Sequence, residues 1–185
     1  MQSLLANKIS GGYSWTLTTR LGEMLRLAQE AYGPKDNTYT TLGIEFELNG
    51  PQIWYPGNCK HIAIQLTPDT ANDQIKGCYQ LAHECIHLLS PSGRREATTL
   101  EEGLATWFAH QYVEKEFNFK MPITLQSYET ARQLIGELLA IDKKAIKKLR
   151  TKEFTISNIT SQLIIEFFPE CSTATAQALG EPFVR

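Results

Sequence analysis

The chain has 185 residues, 42% of them hydrophobic and 21% charged, and 20 acidic against 18 basic side chains give a formal charge of −2 with its four His neutral. That length suits one compact domain with a sizeable core, and the composition excludes a disordered or fibrous chain. The near-neutral balance leaves no electrostatic footprint for nucleic acid, and no run approaches the roughly 18 to 20 apolar residues that cross a bilayer, so neither partner is expected.

Met1 to Trp15 hold neither a basic leader nor an apolar run before a small-residue cleavage site, and the expected location is cytoplasmic. The cysteines, Cys59, Cys78, Cys85 and Cys171, form no C-x-x-C pair and are expected as free, mostly buried thiols. Seven residues along one helix is about 10 Å, beyond disulfide reach for Cys78 and Cys85.

The elements run α, then β, then α. Leu17, Leu21, Met24, Leu25 and Ala28 recur at helical spacing, which predicts a helix from about Leu17 to Tyr32, stopped by Gly33-Pro34. From Leu42 the period becomes two, with Ile44, Phe46 and Leu48 alternating against Glu45 and Glu47, and Asn49-Gly50 follows as a hairpin signal. A short second strand fits Gln52 to Tyr55, and a third runs from Lys60 to Leu66. Thr67-Pro68-Asp69-Thr70 then offer an N-cap and a first-turn proline to a helix with Ile75, Cys78, Tyr79, Ala82 and Ile86 on one face, ending near Ser90-Pro91-Ser92-Gly93.

A further helix is predicted from Thr98 or Thr99 to about Glu116, with Leu100, Leu104, Trp107 and Phe108 inward. Residues 121–185 read as mainly helical, with a strong period over Tyr128 to Ile141 and a second helix over Asn158 to Phe168. The basic run from Asp142 to Arg150 spaces its lysines as the solvated face of a helix.

The informative motif is His83-Glu84-Cys85-Ile86-His87, an H-E-x-x-H on a predicted helix. Two His at i and i+4 project from one face and can converge on a metal ion, while Glu84 is rotated by about 100° and reaches a water on that metal without ligating it. A catalytic zinc takes three protein ligands, so a third must lie nearby. Downstream, Glu101 and Glu102 are adjacent carboxylates, with Glu96 a more distant choice. Thr98 with Glu101 and Thr99 with Glu102 both fit a capping box, so capping does not decide between them.

Here the sequence resembles the gluzincin branch of the zincin metallopeptidases, which joins H-E-x-x-H to a later helix bearing a glutamate, often within E-G-x-A. The second element reads Glu102-Gly103-Leu104-Ala105. The resemblance spans about Lys60 to Lys115 and implies a single Zn²⁺ per chain held by His83, His87 and Glu102, with Glu84 as general base. The longer H-E-x-x-H-x-x-G-x-x-H pattern is absent, since Ser90 stands three residues after His87. Some relatives brace a ligand His with an Asp four residues after the glutamate; Thr106 stands there, which leaves the brace unassigned.

The fold implied is an α+β, zincin-like metallopeptidase domain over 1–185: an N-terminal helix and small sheet in 1–66, metal-binding helices in 67–117 and a helical C-terminal part in 118–185. The resemblance also makes the strand His61 to Leu66 a sheet edge for a peptide or protein substrate. His61 is read as structural, and Arg94 and Arg95 as solvated. His110, Tyr112 and Tyr128 are positional candidates for an oxyanion donor. The expected function is a zinc-dependent metallopeptidase, a protease of the hydrolase class. The alternative is an inactive zincin-fold binding or sensor module, whose site its own chain can plug where a protease needs an open cleft.

Overall fold

The computed structural model describes residues 8–10, 12–13, 15–57, 60–93 and 96–185. Cys59, Arg94 and Arg95 lie outside the described residues. The architecture is α+β, with seven α-helices and a three-stranded mixed sheet among the described residues, plus a two-stranded ribbon of β1 (Lys8–Ile9) and β2 (Gly12–Tyr13). Among the described residues no helix is long and apolar enough to cross a membrane.

Helix α1 (Leu17–Tyr32) matches its expected bounds. Thr16 and Thr19 cap each other's backbone N–H groups, and Gly33 ends the helix at φ 102°, a conformation that a side chain would strain. Its inner face buries Leu21, Met24, Ala28 and Tyr32.

The sheet departs from expectation. Its strands, β3 (Thr40–Phe46), β4 (Gln52–Trp54) and β5 (His61–Leu66), lie in the order β3-β5-β4. β5 pairs parallel to β3 and antiparallel to β4, so it is the centre of the sheet and offers no edge to a substrate. The cause is its apolar content: Ile62, Ile64 and Leu66 are fully buried, and Ala63 and Gln65 are also covered. The edge beside the later site is β4.

Asn49-Gly50 does form a turn, with Gly50 N donating to Glu47 O at 3.0 Å, but β3 and β4 both pair with β5 instead of with each other. A Cβ at Gly50 would stand 3.0 Å from the Gln65 carbonyl oxygen, so the bare backbone lets the chain pass close to β5. The alternation from Leu42 buries no side chain fully, for Ile44 is half-buried and Leu42, Phe46 and Leu48 are exposed. Its polar face is used instead: Gln52 Nε2 donates to Gln65 Oε1, and Gln65 Nε2 to Glu45 Oε1, across all three strands.

Residues Pro68–Asn72 form a 3₁₀ turn, and α2 (Gln74–His87) begins only after that turn and not at the expected Thr67 cap; Asp73 caps it instead, its side chain accepting from Lys76 N. Proline at the head of the turn and the Gln80 side chain bonded to Thr67 hold that shorter geometry. Helix α3 (Thr99–Phe117) starts at the N-cap Thr98 and ends at Asn118 in the left-handed region, φ 49°.

Helices α4 (Gln126–Ile141), α5 (Ala145–Leu149), α6 (Ser161–Phe167) and α7 (Thr173–Gly180) complete the C-terminal part. The predicted helix from Asn158 is split, since Ile156–Asn158 make a 3₁₀ turn and Thr160 caps α6. In the basic run the lysines face solvent, but Arg150 does not. It is buried and donates to the carbonyl oxygens of Tyr32, Pro34, Leu89 and Phe154, which ties α1 and the end of α2 to the C-terminal helices.

The core draws on α1, β5, α2, α3 and the helices after them, from Leu21 to Leu179. Cys78, Cys85 and Cys171 are free and buried, and burial pushes each thiol above its ordinary range.

Candidate metal centre

Two helix ends meet at the site. The C-terminal half of α2 supplies His83, Glu84 and His87, and the first turn of α3 supplies Glu101 and Glu102. One helical turn separates the imidazoles, whose rings lie 5.2 Å apart.

Glu102 faces both rings. Its Oε2 is 3.1 Å from His83 Nε2 and its Oε1 is 3.7 Å from His87 Nε2. A ligand atom from each of His83, His87 and Glu102 lies within 4.8 Å of the others, a group that can hold a metal ion. Two imidazole nitrogens and one carboxylate oxygen are a donor set that zinc accepts, with a fourth position left over.

Glu101, one residue earlier, is turned by about 100° around α3 and has a different task. Its Oε1 is 2.8 Å from His87 Nδ1. Accepting from Nδ1–H turns Nε2 to the Glu102 side, where it could ligate a metal once its own proton is lost. This is the brace that the sequence left unassigned. Thr106 is not involved, because its hydroxyl donates to the Glu102 carbonyl within α3. The adjacency of the two acids in the first turn was the available signal for Glu101, but capping explained it equally well; in the structure Thr98 Oγ1 does accept from Glu101 N.

Electrostatics follow from burial. Glu84 is 3% exposed, and desolvation raises its carboxyl pKa against the opposing pull of His87 and His83. Burial raises Glu102 as well, but His87 and His83 outweigh it and bring the carboxyl down to about 2. For His87, burial lowers the pKa, and Glu102, Glu101 and Glu84 together drive it up to about 10. The second oxygen of Glu101 is buried without a partner among the described residues. Three covered carboxylates against two imidazoles make a pocket with a surplus of negative charge, an environment that a divalent cation relieves.

A cleft of about 210 Å³ opens over this group, bordered by Pro51, Gln52 and Ile53 at β4 and by Arg185. A second cavity of about 440 Å³ adjoins it at His83 and Glu84 and runs along Tyr79, residues 121–125 and Tyr128.

Other positions considered from the sequence lie elsewhere. Glu96 is exposed and outside the metal group, and the half-buried His61 at the head of β5 lies outside it too. His110 stacks edge-on against Tyr79 at 5.1 Å and lines a separate cavity with Trp107 and Arg132; burial lowers its pKa. Tyr112 is buried between Arg20, from which it accepts, and Glu23, to which it donates. Of the positional candidates for an oxyanion donor, Tyr128 is the one near the metal group, lining the adjoining cavity with its ring 6.0 Å from His83. Arg185 was missed altogether. Comparison of the chain with family models, curated proteins and solved structures gave no match.

Proposed function

We propose that this chain is a zinc-dependent peptidase of the gluzincin type. The observation that carries the reading is the convergence of His83, His87 and Glu102 on one point, with Glu84 buried beside it and a cleft above. When bound there, zinc lowers the pKa of water towards 7 and polarises a carbonyl. His83 Nε2, His87 Nε2 and Glu102 hold the ion, and Glu101 fixes the His87 ring. Glu84 takes the proton from the attacking water and passes it to the leaving amine. Its raised pKa suits that exchange, because a carboxylate desolvated beside the reaction is a stronger base than one in water.

Support for a peptide substrate comes from β4. It pairs only with β5 among the described strands and borders the cleft, so an extended chain can add to its outer edge by backbone hydrogen bonds. The open cleft favours the hydrolase over a plugged binding module.

Elemental analysis of the purified protein, beside His83→Ala and Glu102→Ala, tests the site, and hydrolysis by Glu84→Gln tests the base. The expected result is one zinc per chain, lost in the two ligand variants, with Glu84→Gln keeping zinc but losing turnover. A folded wild type that takes up no zinc would overturn the reading.

A further inference from the structure

Arg185 reaches the cleft on a strap, not on a helix. Pro182 forms an antiparallel bridge with Thr98, Phe183 N donates to Ala97 O at 2.9 Å, and Thr99 N donates to Glu181 O at 2.9 Å. The Phe183 ring packs 4.8 Å from that of Tyr128. These contacts pin residues 181–183 against the head of α3, beside the turn that carries Glu101 and Glu102.

From there Arg185 lines both the cleft over the metal group and the adjoining cavity along Tyr128. It is the sole Lys or Arg among the described residues that border the cleft. It remains exposed and forms no ion pair with a described carboxylate side chain, while its side chain reaches the Tyr128 hydroxyl. A guanidinium that borders both the cleft and the adjoining cavity, and is in salt-bridge contact with no described carboxylate side chain, is a receptor for a planar anion.

We propose that Arg185 binds a carboxylate of the peptide substrate and so selects acidic peptides or free C-termini at this site. The inference rests on the peptidase reading for what the bound peptide undergoes, but not for the binding itself. The bidentate fork of Arg matches a carboxylate, and its contact with the Tyr128 hydroxyl, on a strap whose Phe183 packs against the Tyr128 ring, sets it beside the cleft. The exposed position limits the gain, so the preference is about tenfold.

The test uses the full chain loaded with zinc and an N-acetylated peptide of Ala and Leu in three forms: free C-terminal acid, C-terminal amide, and the amide carrying one internal Glu. Binding is measured by calorimetry on Glu84→Gln, and cleavage is measured on wild type. We expect the free acid or the Glu peptide to bind and react about tenfold better than the plain amide, and whichever form gains identifies the source of the carboxylate. In Arg185→Gln the preference should collapse to near unity, with Arg185→Lys between the two. Equal treatment of all three peptides by wild type, or an undiminished preference in Arg185→Gln, overturns the inference while leaving cleavage intact. Arg185-dependent binding without cleavage upholds it and removes the peptidase reading instead.

Discussion

Gly103 gives a prediction whose sign separates two accounts of the E-G-x-A element. If that glycine is merely tolerated within α3, Gly103→Ala should stabilise the protein by about 1 kcal/mol through helix propensity. The structure says otherwise. A Cβ there would lie 2.5 Å from the Ala131 carbonyl oxygen, 2.8 Å from its carbon and 2.9 Å from Ile135 Cγ1. The first two atoms are backbone of α4, which cannot rotate away as a side chain can. Overpacking of this kind costs about 1 to 3 kcal/mol, and a backbone obstacle belongs at the upper end. Subtracting the propensity gain leaves a net loss of about 2 kcal/mol. At roughly 2 to 4 °C per kcal/mol for a chain of this size, the midpoint should fall by about 4 to 8 °C. Thermal unfolding followed by circular dichroism, in excess chelator so that metal binding adds nothing to either protein, measures it. A midpoint that rises, or stays within a degree of wild type, refutes the close packing of α3 on α4 at this residue.

Glu101→Gln should keep the fold and still take up zinc, but with affinity reduced about 10- to 100-fold in a competition titration, because His87 loses its anionic brace and not its place. Complete loss of zinc would instead make Glu101 a ligand, and unchanged affinity would remove the bracing role. The metal-free protein should also lose stability in alkali. His87 has a pKa raised from 6.5 to about 10 in the fold, so its contribution is full below about pH 6.5 and is lost as the pH rises through 10. Zinc needs the neutral imidazole and therefore binds more tightly over the same range. The gap between zinc-loaded and metal-free midpoints should widen from pH 7 to pH 10; a constant or narrowing gap would count against the coupling.

The helices of the site were legible because their signal is local. Periodicity in α1 and α2 follows from side chains three and four apart, the pairing of His83 with His87 on one face follows from the same geometry, and α3, buried along most of its first two turns, was marked instead by its Thr98 cap. The sheet was not, because strand order is decided by distant partners. Asn49-Gly50 is a sound turn, yet nothing in those residues says that the next strand will cross to the far side of β5. The strand itself gave no warning: His61, Ala63 and Gln65 alternate with Ile62, Ile64 and Leu66 as in a strand with one covered face, yet Ala63 and Gln65 are covered as well once β3 and β4 flank it. Arg150 was misread for a similar reason, since its four carbonyl partners come from segments far apart in the chain. Arg185 depends on a strap that pairs with residues more than eighty positions away, and no window of sequence contains that fact.

The meeting of two helix ends also explains how so charged a site stays folded before any metal arrives. His87 stands in the last turn of α2, where the helix dipole favours a cation, and Glu101 and Glu102 stand in the first turn of α3, where it favours anions. Each group is thus placed at the helix end that tolerates its charge, and the three are then set against one another at contact distance. In the metal-free protein the proton on His87 fills the role of the missing positive charge. A divalent ion bound there would displace that proton and find its ligands already oriented, with Glu101 holding His87 from behind and Glu102 between the rings. Adjacent glutamates are therefore a division of labour made possible by the turn of a helix: one rotation of about 100° is enough to send neighbouring carboxylates to opposite nitrogens of the same imidazole.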